Sequence, residues 1–80
     1  MTTLTLPSGA TLRHGSELRF HVLVEFPDGT AWRLTSREER GRARSSLRAW
    51  VRRYEECGID ARLYLWDAER GDITPKVVFT

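Results

Sequence analysis

Arginine is the residue type with the clearest capacity for chemistry in this sequence. Twelve of the 13 basic residues are arginine, and six of them fall in the segment 40–54, "RGRARSSLRAWVRRY", which contains no carboxylate. A guanidinium group forms paired hydrogen bonds with a carboxylate or a phosphate. On a helix that runs through this segment, Arg37, Arg44, Arg48 and Arg52 lie on the outer side. Arg44, Arg48 and Arg52 are candidates for contacts with phosphates or an acidic partner.

The same arginines also have a purely structural interpretation. A GC-rich genome enriches arginine, and pairs such as Arg52 with Glu56 stabilise the surface of a solvated helix. A helix that reads bases usually belongs to a helix-turn-helix or a zinc module, and neither is predicted for a chain with one helix and one cysteine. Any nucleic-acid contact of this helix is therefore expected to involve phosphates rather than base edges.

Aromatic and cationic side chains alternate along the predicted strands and fall together on one face of the sheet. The members of this face are Arg19, His21, Leu23, Arg33, Arg62, Tyr64, Trp66, Lys76 and Val78. Trp, Tyr and Arg dominate the energetics of protein interfaces, and the same residue types stack bases and hold phosphates. The pattern predicts a binding surface, for a protein first and for nucleic acid second. Alternatively, the N-terminal hairpin folds over this face and makes it internal.

The residues that support catalysis or metal binding do not form a recognisable motif. His14 and His21 are the two histidines, and Cys57 is the single cysteine. The sequence contains no phosphate-binding loop, nucleophile elbow or zinc-binding HExxH pattern. We expect His21 on the surface and Cys57 packed on the apolar side of the helix. The predicted protein is not an enzyme and uses no cofactor or metal.

Two hairpins precede the helix. Residues 17–26, "ELRFHVLVEF", alternate apolar and polar side chains, which is typical of a strand with one buried face. The tripeptide Pro27–Gly29 suits a tight turn, and the return strand "TAWRL" follows it. The N-terminal segment repeats this turn chemistry in "LPSGATLR", which predicts a first hairpin from strand 2–6 to strand 10–13.

The helix is predicted to begin at Thr35 or Ser36. In "SREE", Ser36 and Glu39 have the spacing of a capping box, and Gly58 suits the end of the helix. An apolar stripe with spacings of three and four residues contains Ala43, Leu47, Trp50, Val51, Tyr54 and Cys57. We expect Trp32 and Trp50 to lie in the core between helix and sheet.

After the helix, the segments 60–66 and 73–79 alternate again and predict two further strands. The chain therefore has the order ββ-ββ-α-ββ. The predicted fold is of the α+β class: a mostly antiparallel sheet of five to six strands with one helix packed on one face. Residues 1–80 are interpreted as a single domain, because the sequence shows no linker and no low-complexity segment.

The charge is nearly balanced, with 13 basic and 11 acidic residues and a net charge of +2. Such a small net charge gives only weak non-specific attraction to nucleic acid. The sequence shows no signal peptide and no apolar run long enough to cross a membrane. With one cysteine, no internal disulfide forms. These features predict a cytoplasmic protein without a membrane partner.

In format, the chain resembles the small proteins of bacteriophages and mobile elements, such as anti-CRISPR inhibitors. The resemblance rests on 80 residues, one core, no catalytic motif, and arginine used in place of lysine. It implies a protein that acts by occupying a surface on a larger protein or nucleoprotein assembly. Two alternatives stay open: a non-sequence-specific nucleic-acid-binding module, and a homo-oligomeric structural module such as a homodimer.

Overall fold

The computed structural model describes residues 2–15 and 17–75. It confirms the α+β class and the predicted element order. The elements are β1 (Thr2–Thr5), β2 (Thr11–His14), β3 (Phe20–Glu25), β4 (Ala31–Arg37), α1 (Arg40–Glu56), β5 (Arg62–Asp67) and β6 (Gly71–Asp72). Of the predicted last strand, residues 73–75 are not in a strand, and Lys76 and Val78 lie outside the described residues.

The described strands form two sheets rather than the predicted single sheet. One has the order β4-β3-β5-β6, and the other is the hairpin β1-β2. Because β3 is antiparallel to both β4 and β5, these two strands run parallel on either side of it. The helix α1 makes the long connection that a parallel pair requires.

Both predicted hairpin turns form as their residue types suggest. In the second turn, Gly29 adopts a φ of 90° and donates its backbone N–H to the Phe26 carbonyl over 3.0 Å. In the first turn, Gly9 adopts a φ of 94° and donates to the Leu6 carbonyl over 2.9 Å. A positive φ strains any residue with a Cβ atom, so glycine is the residue that these turns favour.

The start of the helix differs from the sequence prediction. Ser36 belongs to β4 and is buried there. Its hydroxyl lies 2.7 Å from Nδ1 of His21, its cross-strand neighbour. Glu39 is the N-cap residue, with an extended backbone and no capping bond from its side chain. Pairing with β3 thus prevails over the capping box, and the predicted start at Thr35 or Ser36 is wrong.

A β-bulge accounts for the extra length of β4. Val22 faces Thr35 and Leu23 faces Arg33, so Leu34 has no partner of its own in the ladder. A bulge of this kind twists and bends the strand that carries it. Leu34 packs against the helix-side core, and the strand continues to Arg37.

The end of the helix follows the prediction closely. Gly58 has a φ of 66° and donates its N–H to the Glu55 carbonyl over 3.1 Å. The N–H of Ile59 reaches the Tyr54 carbonyl over 3.0 Å. These two bonds make a Schellman motif, which satisfies carbonyl groups that the last turn leaves without a helical partner.

The four-stranded sheet is covered on both faces. The core on the helix side contains Phe20, Val22, Val24, Ala43, Leu47, Val51, Leu63 and Leu65. The core on the other side joins the hairpin β1-β2 to the sheet and contains Leu4, Leu6, Leu12, Leu23 and Tyr64. The molecule therefore has three layers: hairpin, sheet and helix.

A buried carboxylate ties the start of β3 to the end of β5. Asp67 is 2% exposed and accepts hydrogen bonds from Nε and Nη2 of Arg19 over 3.1 and 3.2 Å. It also accepts the backbone N–H of Glu69 over 2.9 Å. The bond from the Arg19 guanidinium, aided by this backbone N–H, lowers the pKa of Asp67.

This pair predicts a specific loss of stability in acid. A carboxyl group whose pKa is lowered by folding stabilises the protein above its unfolded pKa of about 3.9, and that contribution disappears as the pH falls through the folded value. We expect Asp67→Asn to be less stable than the parent at pH 7 and to lose less stability below pH ~4. Denaturant unfolding at pH 7, 4 and 3 measures the free energy of unfolding of the parent and of Asp67→Asn. If this free energy depends on pH identically in the two proteins, Asp67 does not have this role.

Candidate binding surfaces

The face predicted to bind a partner is largely internal. Tyr64 is 8% exposed, His21 1% and Leu23 0%. Leu4, Leu6 and Leu12 of the N-terminal hairpin cover this face and pack with Leu23 and Tyr64. The alternative left open by the sequence, in which the hairpin folds over the face, is therefore the arrangement observed. The prediction that His21 lies on the surface is wrong.

The remaining members of that face do not form one continuous surface. Arg19 is engaged with Asp67 and with Glu69, whose Oε2 lies 3.1 Å from Nη2 of Arg19. Arg33 donates to the Ser36 hydroxyl over 3.0 Å. Arg62 is exposed and Trp66 is half-buried, while Lys76 lies outside the described residues. Tyr64 and His21 are therefore not available as docking anchors in this structure.

Tyr64 instead joins the layers through a carboxylate. Its hydroxyl donates to Oε1 of Glu25 over 2.9 Å, and Ser8 of the N-terminal turn donates to Oε2 of the same side chain over 2.6 Å. Burial, and then the bond to Glu25, raise the pKa of Tyr64 above its usual value. The phenol stays protonated and holds hairpin, β3 and β5 together.

The arginines of α1 divide into two groups. Arg44, Arg48 and Arg52, predicted from the sequence, are exposed, and Arg40 extends their row by one position. Arg42 forms an ion pair with Glu39 over 3.5 Å. Arg53 lies over the Trp50 ring, with 5.6 Å between its Cζ and the ring centroid. We call Arg40, Arg44, Arg48 and Arg52 the arginine stripe. The prediction that Arg37 lies on the outer side of the helix is wrong, because Arg37 belongs to β4.

Trp32 is placed very differently from its prediction. It is 62% exposed, whereas the sequence pattern placed it in the core. Trp32 lies opposite Val24 across the strand pair, and Val24 belongs to the helix-side core. Trp32 therefore lies on the helix side of the sheet, as predicted, but it is exposed at the edge of the sheet rather than buried in the core.

The width of the helix explains this exposure. A single helix is about 10 Å wide, whereas four strands spaced by about 4.8 Å span about 14 Å between the outer strand axes. β4 is an edge strand, so Trp32 has a neighbouring strand on one side only, and a helix narrower than the sheet leaves part of that margin open. Alternation along β4 correctly indicated the face of Trp32, but no local pattern shows which strand will lie at the edge.

Trp32 lies on the same face of the hairpin β3-β4 as Phe26, in a diagonal cross-strand position, and Phe26 belongs to a cluster of aromatic rings. Phe26 follows Val24 on the same face of the sheet and stacks on Tyr54, with 6.3 Å between ring centroids. Trp50 meets Tyr54 edge to face at 5.9 Å. The rings of Phe26, Trp50 and Tyr54 are half-buried. We use the name aromatic patch for the side of the molecule that carries Trp32 on this face of the sheet together with the contacting residues Phe26, Trp50, Arg53 and Tyr54.

Two further side chains near the end of α1 are exposed. Cys57 is exposed, so the expected packing of its thiol in the apolar stripe is wrong. Ile59 is 45% exposed and follows directly on the Schellman motif. The backbone N–H of Ile59 bonds to the Tyr54 carbonyl, so Ile59 lies directly beside the last turn of α1.

Residues 2–15 and 17–75 contain no group of three or more histidine, cysteine or acidic side chains that is placed to hold a metal ion. None of the helices in this part of the chain has the length and apolar character needed to span a membrane.

The fold and its surfaces define a small three-layer α+β protein with an exposed aromatic patch and a separate row of exposed arginines. No protein-family model matches this chain, and neither a curated protein nor a solved structure shows significant similarity to it. Inferences about its function therefore rest on these two surfaces.

Proposed function

We propose that this chain is a non-enzymatic binding protein that acts by occupying a surface on a larger protein or nucleoprotein assembly. The observation that carries the proposal is the exposure of Trp32, which is 62% accessible on the face of the sheet that also carries Phe26 of the aromatic cluster. Exposing a large aromatic side chain to water is unfavourable by about 1.5–3 kcal/mol relative to burying it. A partner that covers it recovers this free energy.

The composition of the aromatic patch fits a protein partner. Tryptophan, tyrosine and arginine are the residue types that dominate interface energetics, and the patch contains Trp32, Trp50, Tyr54 and Arg53. The Arg53 guanidinium already lies over the Trp50 ring, which holds it at the rim of the patch. We therefore infer a partner surface with an apolar pocket for Trp32 and a carboxylate near Arg53.

The edge of the sheet beside Trp32 is poorly suited to accept an extra strand. β4 carries a bulge at Leu34, and Arg37 donates to the Ser36 carbonyl over 2.8 Å. Bulges and charged side chains are the usual devices that protect an edge strand from pairing. The partner is accordingly expected to contact side chains of the aromatic patch rather than extend the sheet.

This mode of action matches the inhibitors that the format of the chain resembles. An anti-CRISPR-like inhibitor needs a rigid small domain and one adhesive surface, and it needs no catalytic group. Here, both faces of the sheet are packed, which gives the aromatic patch a firm support. Occlusion of a working surface on the larger assembly is the proposed effect.

Photo-crosslinking in the native host tests this proposal. Benzoylphenylalanine placed at position 32 is expected to crosslink one larger protein, because that side chain lies in the interface. The same group at position 13 is the matched control, since Arg13 is exposed on the hairpin at the opposite side of the sheet. The proposal is wrong if both positions give equal products or if position 32 gives none. A product of twice the chain's mass would also overturn it, in favour of a homodimer.

A further inference from the structure

We propose that the arginine stripe of α1 binds the phosphate backbone of double-stranded nucleic acid without reading its sequence. The four arginines occupy positions 40, 44, 48 and 52 and are all exposed. Residues four apart lie on neighbouring turns, about 6 Å apart along the helix axis. The stripe therefore presents a row of guanidinium groups that follows the helix.

The stripe has a carboxylate in its row only at the C-terminal end of the helix, where Glu56 follows Arg52 by four residues. Segment 40–54 contains six arginines and no carboxylate. Within the described part of the chain, Arg42 is the one helix arginine that forms an ion pair, and Arg53 rests on Trp50. Among residues 2–15 and 17–75, the side chains of the stripe form no hydrogen bond or ion pair. The repulsion among these cations is relieved when they neutralise a polyanion.

The residues beside the stripe favour a duplex over a single strand. Single-stranded nucleic acid is held by aromatic side chains on which the bases stack. The positions that follow the stripe residues are Gly41, Ser45, Ala49 and Arg53. The first three side chains are small and offer no stacking platform, but they let a phosphate backbone approach the helix closely.

The stripe and the aromatic patch lie on different flanks of α1. Trp50 and Tyr54 pack toward β3 and β4, whereas Arg40 and Arg44 border Leu65 and Ile73 on the other side of the helix. A nucleoprotein partner can contact both flanks at once, with protein on one and phosphates on the other. Phosphate binding is nevertheless independent of the proposed protein contact, and each is tested separately.

The test uses a random-sequence 20-base-pair DNA duplex and fluorescence anisotropy at 50 and 200 mM salt. With four phosphate contacts, the parent is expected to lose about 150-fold in affinity between these two salt concentrations. Arg44→Gln with Arg48→Gln retains two contacts, and its expected loss is about 12-fold. Glutamine keeps the helix propensity close to that of arginine.

Two controls decide whether the position of the charge matters. Arg42→Gln with Arg53→Gln removes the same charge from the same helix but spares the stripe, so it should behave like the parent. If this control weakens binding as much as the stripe variant does, or if the parent does not bind the duplex at 50 mM salt, the proposal is wrong. Equal affinity for poly-L-glutamate would also overturn it, in favour of an acidic protein. Trp32→Ala should leave duplex binding unchanged.

Discussion

Replacing Tyr64 with alanine is expected to remove about half of the folding free energy. The side chain is 8% exposed and lies in the core between the N-terminal hairpin and the sheet. Truncating a buried aromatic ring destabilises a protein by about 3–5 kcal/mol. At about 0.1 kcal/mol per residue, a chain of this size has a stability of about 8 kcal/mol.

Tyr64→Phe is the matched control for this prediction. It keeps the ring and removes the hydrogen bond to Glu25, so the expected loss is about 1–3 kcal/mol. Denaturant unfolding at neutral pH measures all three proteins. If Tyr64→Ala is as stable as the parent, the face covered by the hairpin is open in solution, and the sequence-based prediction of a binding surface there becomes valid again.

Trp32→Ala is expected to have the opposite profile, with a large effect on binding and a small effect on folding. Loss of a central aromatic anchor weakens a protein complex by about 2 kcal/mol or more, which is about 30-fold in the dissociation constant. Because Trp32 is 62% exposed, its truncation should change the stability by less than about 1 kcal/mol.

Titration of Trp32→Ala and the parent with the partner identified by crosslinking measures the dissociation constants. Thermal unfolding of the same two proteins measures the change in stability. Arg13→Ala is the control for a general surface effect, since Arg13 is also exposed. A Trp32→Ala protein that binds the partner as tightly as the parent would exclude Trp32 as an anchor. A large drop in its unfolding temperature would instead assign Trp32 to the core.

Local patterns predicted the elements of this fold well. Alternation over residues 17–26 and the turn residues up to Gly29 predicted the hairpin β3-β4, and the apolar spacing from Ala43 to Val51 predicted the buried side of α1. Each of these features depends on neighbours within a few residues. For this reason, they can be inferred from a single sequence.

The surfaces depend on contacts between distant residues and were harder to predict. Covering of Tyr64 depends on Leu4, Leu6 and Leu12, which lie more than 50 residues away in the chain. Three leucines in a short hairpin predict that the hairpin packs against another element, but they do not show which face of the sheet it covers. Likewise, the edge position of β4, which exposes Trp32, follows from strand order and not from its own residues.

The helix start shows how tertiary contacts override a local signal. Ser36 and Glu39 have the spacing of a capping box, yet Ser36 pairs with His21 in the sheet. The bulge at Leu34 allows β4 to continue past this point. The arginine stripe was predicted in part, because Arg44, Arg48 and Arg52 lie well inside the helix, where a shift in its start does not affect them.

The emission of Trp32 itself gives the most direct test that the aromatic patch is the docking surface. In a Trp50→Phe and Trp66→Phe protein, Trp32 is the remaining tryptophan of the three, and its exposure predicts emission at the long wavelength of an indole in water. Addition of the crosslinked partner, in a form without tryptophan, should shift this emission to shorter wavelength as the ring leaves water. A saturated complex in which the emission of Trp32 is unchanged would contradict the proposed function.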